Sequence, residues 1–269
     1  MPKKLSIITI NWNNAAGLRQ TLESVTSQLT SDCEYVVIDG NSDDGSQNVI
    51  REYADRLTYW QSEPKAGIYA DMNKGIAKAT GEYCLFLNAG DWLVNDVLPK
   101  AVNECTGEDV IYFNTYLSYD NTRIEALRYS PTLTMRNFFK STIGHQSTLI
   151  KRELFNRYGM YDETLRLHGD YAFWLKSIIL ENATCKYVNK FLSYYDMGGQ
   201  TANPNEYTLQ EVSTVLSQSL PKRVLDDYDY WHKRERELEI LVWYKNQKML
   251  YGGLVFLYKV VKNLHRLMA

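Results

Sequence analysis

The sequence has few cysteines and histidines, and their positions exclude several kinds of site. Its 269 residues include four of each. Cys33, Cys84, Cys105 and Cys185 form no CxxC pair and no metal-like cluster with histidine. Scattered thiols of this kind favour a reducing compartment over a disulfide-rich secreted fold, so we expect a cytoplasmic protein. Cys84 lies within an apolar run, which predicts a buried free thiol.

The sequence also lacks an excess of charge and a long apolar run. Its formal net charge is −2, so no electrostatic argument points to nucleic acid as a partner. The apolar stretch 250–261 is interrupted by Gly252-Gly253 and Lys259, and it is shorter than the roughly 20 residues of a membrane-spanning helix. No signal peptide is recognisable before the first apolar run, and we expect none.

The glycine-rich fingerprint of dinucleotide-binding proteins is missing as well. No GxGxxG motif follows the first predicted strand, where Asn11-Trp12-Asn13-Asn14 stands instead. The sequence therefore gives no support to a dehydrogenase of the Rossmann type.

Short apolar runs alternate with helical patterns in the first third of the chain. Buried parallel strands are predicted at 5–10, 34–38, 57–61 and 83–87. Helices are predicted at 17–28, from the turn after residue 42 through residue 53, and at 69–79, with Gly81 as the C′ glycine of the last. This alternation indicates βαβ units. The fold class is therefore α/β, with a mostly parallel central sheet flanked by helices.

The pattern is looser after residue 91. We predict strands at 110–116 and 186–196, an extended or hairpin segment at 123–131, and helices at 151–158 and 170–180. Residues 198–204 are predicted to form a flexible loop, and a glycine pair there suits a lid that closes over a ligand.

The last part of the chain differs in character. We predict a large α/β domain over residues 1–220, followed by an amphipathic helical extension over 221–269. Gly252-Gly253 is expected to kink or break the last helix. Basic residues recur along the extension, which favours peripheral contact with an anionic membrane surface. Packing of these helices on the domain, or a dimer contact, is the alternative; the oligomeric state stays open.

Three acid-bearing segments carry the functional signal. They are Val37-Ile38-Asp39-Gly40-Asn41-Ser42-Asp43-Asp44-Gly45, Asp71-Met72-Asn73-Lys74-Gly75 and Leu85-Phe86-Leu87-Asn88-Ala89-Gly90-Asp91. Two of them end an apolar run with a carboxylate. In open α/β sheets such a position faces the ligand-binding crevice. The segments therefore indicate a site for a metal, a nucleotide or both.

Together with Ser6-Ile7-Ile8-Thr9-Ile10-Asn11-Trp12-Asn13, these motifs resemble family 2 glycosyltransferases of the GT-A fold, of the bacterial surface-polysaccharide type. The resemblance covers residues 5–200. It implies an inverting transferase that moves a sugar from a nucleotide-diphosphate sugar, with UDP favoured, to a saccharide or lipid-linked acceptor. It also implies a divalent metal, Mg²⁺ or Mn²⁺.

The resemblance and the polar positions around its motifs assign the site residues. Asp170 occupies the place of the catalytic base, and Asp91 that of the metal ligand. The predicted binding residues are Thr9, Asn11, Asn13, Asp39, Asn41, Asp71, Asn73, Asn88 and His145.

Structural roles compete with these assignments. Asp170 suits an N-cap, Asp39 an Asx-turn and Asp91 a strand-end turn. The acidic motif reads Asn88-Ala89-Gly90-Asp91, whereas the family usually has Asp-x-Asp. A nucleotide-sugar-binding protein with little or no transferase activity is therefore the alternative function.

Overall fold

The computed structural model describes residues 3–119, 123–198 and 206–268. The chain divides into two compact units, Met1–Ser219 and Leu220–Ala269. The predicted loop at 198–204 lies outside the described residues except for Gly198.

The larger unit contains a nine-stranded sheet. Its strands are β1 (Leu5–Asn11), β2 (Cys33–Asp39), β3 (Tyr59–Ser62), β4 (Tyr83–Phe86), β5 (Trp92–Leu93), β6 (Val110–Tyr119), β7 (Arg123–Leu127), β8 (Thr148–Lys151) and β9 (Cys185–Asp196). Its helices are α1 (Ala15–Thr26), α2 (Ser46–Glu52), α3 (Ile68–Lys78), α4 (Leu98–Asn103), α5 (Met135–Lys140), α6 (Glu153–Tyr158), α7 (Gly169–Trp174) and α8 (Glu206–Ser219). A π-helical turn, Leu175–Leu180, continues α7. The smaller unit consists of α9 (Lys222–Lys233), α10 (Glu235–Asn246) and α11 (Lys248–Met268).

The sheet order is β3-β2-β1-β4-β8-β6-β9-β5, with β7 paired to β6. Neighbours among β3, β2, β1 and β4 are parallel, so their carboxyl ends meet at one edge. The prediction of an α/β sheet flanked by helices is confirmed. Beyond β4 the pairing is mixed: β6 and β9 are parallel, and β8 runs antiparallel to both β4 and β6.

The core lies around β1 and β2, whose residues are buried along the full length of both strands. On one face of the sheet, Leu18, Leu22 and Val25 of α1 join the core cluster at 0% exposure. The helical spacing of these three residues was the signal that predicted α1. Cys84 is likewise fully buried as a free thiol, as predicted.

Gly81 is not a C′ glycine, and that prediction is wrong. Helix α3 ends at Lys78, and Ala79 at its C-cap is extended, with φ −70° and ψ 136°. Gly81 instead permits a close approach, because an added Cβ would lie 2.6 Å from the Ser6 hydroxyl oxygen. Its N–H donates to that oxygen at 2.9 Å.

The approach at Gly81 is organised around Glu34, a carboxylate buried in β2. It accepts hydrogen bonds from the Ser6 hydroxyl at 2.5 Å, the Thr80 hydroxyl at 2.7 Å and the Thr80 N–H. Burial alone would raise the pKa of Glu34, but these hydrogen bonds outweigh it and the pKa is lowered. The carboxylate thus connects the start of β4 to the two central strands.

Helix α11 runs without interruption through Gly252-Gly253, so the predicted break is wrong. Glycine costs about 1 kcal/mol in a helix interior relative to alanine, but it keeps its N–H and can take helical angles. The flanking residues maintain the helix on both sides. Among the described residues, no helix is both long and apolar enough to cross a membrane.

We expect Glu34→Gln to lower the free energy of unfolding by about 2 kcal/mol at pH 7, because it replaces charge-assisted hydrogen bonds. Since the folded-state pKa is lowered, this stabilisation is present above the unfolded value of about 4.3 and is lost as the pH falls through the folded one. Urea unfolding at pH 7 and pH 3 measures both effects. The control is Glu52→Gln, at an exposed ion pair with Arg19. Equal losses at both pH values would contradict the assignment.

Candidate active site

A cavity of about 720 Å³ opens at the carboxyl edge of the parallel strands. It is lined by residues from the loop after β1, the start of α3, the segment after β4, the turn before β8, the start of α7 and the end of β9. Of the predicted site residues, the lining includes Asn11, Asn13, Asp71, Asn88, Asp91, His145 and Asp170. Residues far apart in the sequence therefore meet at this edge, as open α/β sheets predict.

Asp170 and His145 form a hydrogen-bonded pair in the cavity. Oδ2 of Asp170 lies 3.0 Å from Nδ1 of His145. Oδ1 accepts from the Tyr69 hydroxyl at 3.0 Å and from the Tyr171 N–H at 2.8 Å. On its other side, the imidazole Nε2 lies 3.3 Å from Nδ2 of Asn88. A hydrogen-bonded chain thus runs from Tyr69 through Asp170 and His145 to Asn88.

The pair shifts both of its pKa values. Burial opposes charge on each group, but the opposite charge and the shared hydrogen bond outweigh it. The pKa of Asp170 is lowered, chiefly by His145 once burial is overcome. The pKa of His145 is raised, by Asp170 and to a smaller extent by Asp91. The arrangement favours an ionised Asp170 beside a His145 that takes a proton readily.

Local structure positions Asp170. Helix α7 begins with His168 at its N-cap, so the predicted N-cap role of Asp170 is wrong. A Cβ on Gly169 would lie 2.7 Å from the Tyr69 ring, so glycine permits the approach of α7 to α3. Glu211 of α8 accepts from the N–H groups of Arg166, Leu167 and His168 at 2.7–3.0 Å and so holds the chain that leads into α7.

Asp91 lies beside a second acidic residue, Asp196, which the sequence motif does not contain. Its Oδ1 accepts the Asp196 N–H at 2.9 Å, at the end of β9. The Asp196 side chain lines the cavity too, and its Oδ2 would lie 3.2 Å from a Cβ on Gly90. Burial raises the pKa of Asp91 to about 7, although the hydrogen bond from the Asp196 N–H and the charge of His145 lower it; the charge of Asp196 adds a smaller rise. Two acidic groups thus share one wall of the cavity.

The donor set on this wall suits a divalent cation. Carboxylate oxygens are the ligands that Mg²⁺ and Mn²⁺ prefer. Asp91 is only 5% exposed, yet no lysine or arginine side chain pairs with it within the described residues. No group of three or more His, Cys, Asp or Glu suited to a metal occurs in those ranges. The two carboxylates, of Asp91 and Asp196, are therefore the ligands that this wall could offer to a cation.

Asp39 fixes the loop after β1 through a hydrogen bond to Asn11. This carboxylate is buried beside the cavity wall without lining it. Oδ1 accepts from Nδ2 of Asn11 at 2.7 Å and from the Ser42 hydroxyl at 2.6 Å, and Oδ2 accepts from the Ser62 hydroxyl at 2.6 Å. Oδ1 of Asn11 and Oδ1 of Asn88 are both buried with no hydrogen-bond partner among the described residues.

Three further predicted binding residues, Thr9, Asn41 and Asn73, do not line the cavity. The Thr9 hydroxyl is buried and donates to the Leu87 carbonyl at 2.7 Å. Asn73 donates to the Tyr161 carbonyl and accepts its N–H, at 2.9 and 3.1 Å. Asn41 is exposed in a left-handed conformation with φ 58°. In this structure Thr9 and Asn73 are hydrogen-bonded within the protein, and Asn41 belongs to the loop after β2.

Asp71 and Lys74 form an ion pair on α3, at 2.9 Å. The Asp71 side chain is almost fully buried, and the residue lines the cavity. Its position inside a helix was the sequence signal, because aspartate is a poor helix former.

Other cavity residues were not singled out from the sequence as site residues. Trp12 is 45% exposed at the cavity, with Nζ of Lys65 3.3 Å from its ring centroid. Asp196 follows the same strand-end rule that identified Asp91, so its signal was present but unused. Tyr69 and Glu211 carried no sequence signal, because their roles depend on contacts between distant segments.

Comparison with known proteins agrees with this geometry. Residues 6–163 match the family described as Glycosyl transferase family 2. An uncharacterized glycosyltransferase of Mycobacterium tuberculosis is 30% identical over 65% of this chain and 69% of its own. TuaG of Bacillus subtilis, a putative teichuronic acid biosynthesis glycosyltransferase, is 26% identical over 76% of this chain and 82% of its own.

Among solved structures, S. aureus TarS 1–349 in complex with UDP-GlcNAc superimposes with a TM-score of 0.63 at 18% identity. The match covers 79% of this chain and 65% of that one. It shows a shared fold, and the predicted GT-A architecture is confirmed. With a family match over more than half of its length, the chain belongs to glycosyl transferase family 2.

Proposed function

We propose that this glycosyltransferase moves a sugar, with inversion, from a UDP-sugar to a saccharide or lipid-linked acceptor in bacterial surface-polysaccharide assembly. The observation that carries the proposal is the meeting of two pairs in one cavity, Asp91 with Asp196 and Asp170 with His145. The teichuronic acid relative supports the polysaccharide setting, and the UDP-GlcNAc complex of TarS supports a uridine donor.

Each pair serves one requirement of the reaction. A divalent cation, when bound, supplies positive charge against the diphosphate as it leaves. Asp91 and Asp196 would hold that cation. On the acceptor side, a hydroxyl must lose its proton as it attacks, and Asp170 provides the basic charge for this. Asn11, Asn13 and Asp39 form and support the wall for the nucleotide.

The test of the donor site is calorimetric binding of UDP, GDP and dTDP to the full chain, with Mn²⁺ and then with EDTA. We expect UDP to bind in Mn²⁺ and its affinity to weaken at least tenfold in EDTA, because a cation held by Asp91 and Asp196 would supply positive charge against the diphosphate. Failure of all three nucleotides to bind would overturn the proposal.

The alternative function predicts a different result for sugar release, measured on the same full chain. Asn88 stands where the family usually has an aspartate, so a protein that binds nucleotide-sugars without transfer remains a distinct candidate. UDP binding with Mn²⁺, but equal sugar release by the wild type and Asp170→Asn, would favour that candidate.

The carboxylate pair is tested by Asp91→Asn and Asp196→Asn. Each should weaken Mn²⁺ binding about tenfold or more, since each removes one anionic ligand. In EDTA we expect the Tm of Asp91→Asn to be no lower than that of the wild type, because the variant removes a buried charge and keeps an oxygen for the Asp196 N–H. Calorimetry with Mn²⁺ and thermal unfolding in EDTA measure the two effects. Mn²⁺ affinity unchanged in both variants would place the cation elsewhere.

We further propose that α11 lies on an anionic membrane surface. Leu250, Leu254, Leu257, Val261 and Leu264 recur at three- and four-residue steps, and all are exposed. Lys259, Lys262 and Arg266 occupy the opposite side of the helical wheel and are exposed as well. No acidic residue follows Glu239 in the sequence. A lipid-linked acceptor gives this contact its purpose.

Sedimentation of the full chain with vesicles tests the membrane contact. We expect binding to phosphatidylglycerol vesicles, weaker binding to phosphatidylcholine, and loss of binding for Leu254→Glu with Leu257→Glu. The matched control is Ile124→Glu, a similar change at an exposed residue of β7. If the double variant sediments like the wild type, α11 is a packing or dimer helix instead.

A further inference from the structure

A second, smaller cavity of about 250 Å³ adjoins the active-site cavity. It lies between the end of β7, helix α5 and the segment that precedes His145. The two cavities share a boundary, since five residues line both of them: Leu127, Tyr129, Ser141, Thr142 and Ile143. Its described lining includes nothing from the loop after β1, the segment after β4 or the end of β9. The second cavity is therefore separate from the walls proposed for the nucleotide and the cation.

Hydrogen bonds place this second cavity on the Asp170 side of the active site. The Tyr129 hydroxyl accepts the N–H of the residue before His145 at 3.0 Å, and His145 pairs with Asp170. The carbonyl of Phe138, another lining residue, accepts the hydroxyl of Tyr171 at 2.7 Å. In the proposed function Asp170 takes the proton of the acceptor. The second cavity therefore lies where the rest of the acceptor can extend.

The two cavities differ in charge. The second cavity is lined by two cationic residues, Arg128 and Lys140, and by no aspartate or glutamate from the part of the chain that the structure describes. An acidic group on the acceptor would be repelled by the carboxylates of the first cavity and attracted by the cations of the second. Four carboxylates line the first cavity, those of Asp71, Asp91, Asp170 and Asp196.

Arg128 has the geometry to bind such an acidic group. Its Nη1 donates to Oδ1 of Asn189 at 3.1 Å, and its guanidinium carbon lies 4.8 Å from the ring centroid of Phe191. Both partners belong to β9, so the exposed side chain is held in one place. Its contacts with the described residues include no carboxylate. Its remaining N–H groups can donate the paired hydrogen bonds that a phosphate or a carboxylate accepts.

We propose that the second cavity is an acceptor subsite, in which Arg128 binds a phosphate or carboxylate group of the acceptor saccharide. This inference rests on the proposed function and names the chemical class of its acceptor. A volume of about 250 Å³ is below the roughly 300–1,000 Å³ of a complete ligand pocket, so the subsite takes one sugar unit and its acidic group. The apolar part of the lining suits the C–H face of a sugar ring, and it consists of Leu127, Leu133, Phe138 and Ile143.

Saturation-transfer NMR with the full chain tests the subsite, in EDTA and again with UDP and Mg²⁺. The probes are N-acetylglucosamine, N-acetylglucosamine 1-phosphate, glucuronic acid and inorganic phosphate. We expect one of the two acidic sugars to bind about tenfold or more tightly than the neutral sugar, because hydrogen bonds to a charged group are the stronger kind. Preference for the phosphate indicates a lipid-linked acceptor, and preference for the carboxylate indicates a chain that contains uronic acid.

Two variants of Arg128 assign the effect to this side chain. Arg128→Gln should lower the affinity for the preferred acidic sugar about tenfold, to that of the neutral sugar. Arg128→Lys keeps the charge without the planar fork, so it should retain part of the affinity. The matched control is Arg51→Gln, at an exposed arginine of α2, which should bind all four probes like the wild type. Thermal unfolding checks that each variant is folded.

Equal binding of acidic and neutral sugars, no binding of either acidic sugar, or wild-type binding by Arg128→Gln would overturn the inference. If inorganic phosphate binds as tightly as the sugar phosphate, Arg128 is an adventitious anion site only, and the inference fails as well. The measurement in EDTA needs no nucleotide. Failure of UDP to bind in calorimetry would instead count against the donor site, so the two failures are distinguishable.

Discussion

The site depends on keeping several carboxylates buried at one edge of a sheet. Asp39, Asp91 and Asp170 are each less than 10% exposed. A buried carboxylate is stable only if donors or cations compensate for the lost water. Asp39 is compensated by side-chain donors from β1, from β3 and from the loop after its own strand, and Asp170 by a histidine, a tyrosine and a backbone N–H. Asp91 has one backbone donor, and its pKa is raised accordingly.

Because their hydrogen-bond partners differ, the three aspartates are suited to different roles in the proposed function. Asp39 is saturated by internal partners, so in the proposed function it is a rigid support for the nucleotide wall. Asp170 has three donors, and one of these partners, His145, can itself exchange a proton. Asp91 is under-compensated in the protein alone, and this favours an external cation. The same residue type thus acquires three roles through its neighbours.

The sequence predicted the parallel half of the sheet because β1, β2 and β4 are apolar runs and helical patterns separate the four strands. It did not predict β8, since Thr148–Lys151 is short and continues into a segment that we assigned to a helix. It found Asp170, Asp91 and His145 through motif positions. It did not find Tyr69 or Glu211, because their partners lie 101 and 43 residues away in the chain, and the strand-end signal of Asp196 was present but unused. Only tertiary structure brings such residues together.

Two amide oxygens in the cavity, those of Asn11 and Asn88, are buried without a partner among the described residues. An unpaired buried acceptor costs about 1–3 kcal/mol, and a ligand that presents a hydrogen-bond donor at the right place recovers that energy. Ligands that carry hydroxyl or N–H groups at both positions should therefore bind more tightly than deoxygenated analogues of similar shape. In the proposed function, part of the discrimination between sugar nucleotides is therefore already built into the free protein.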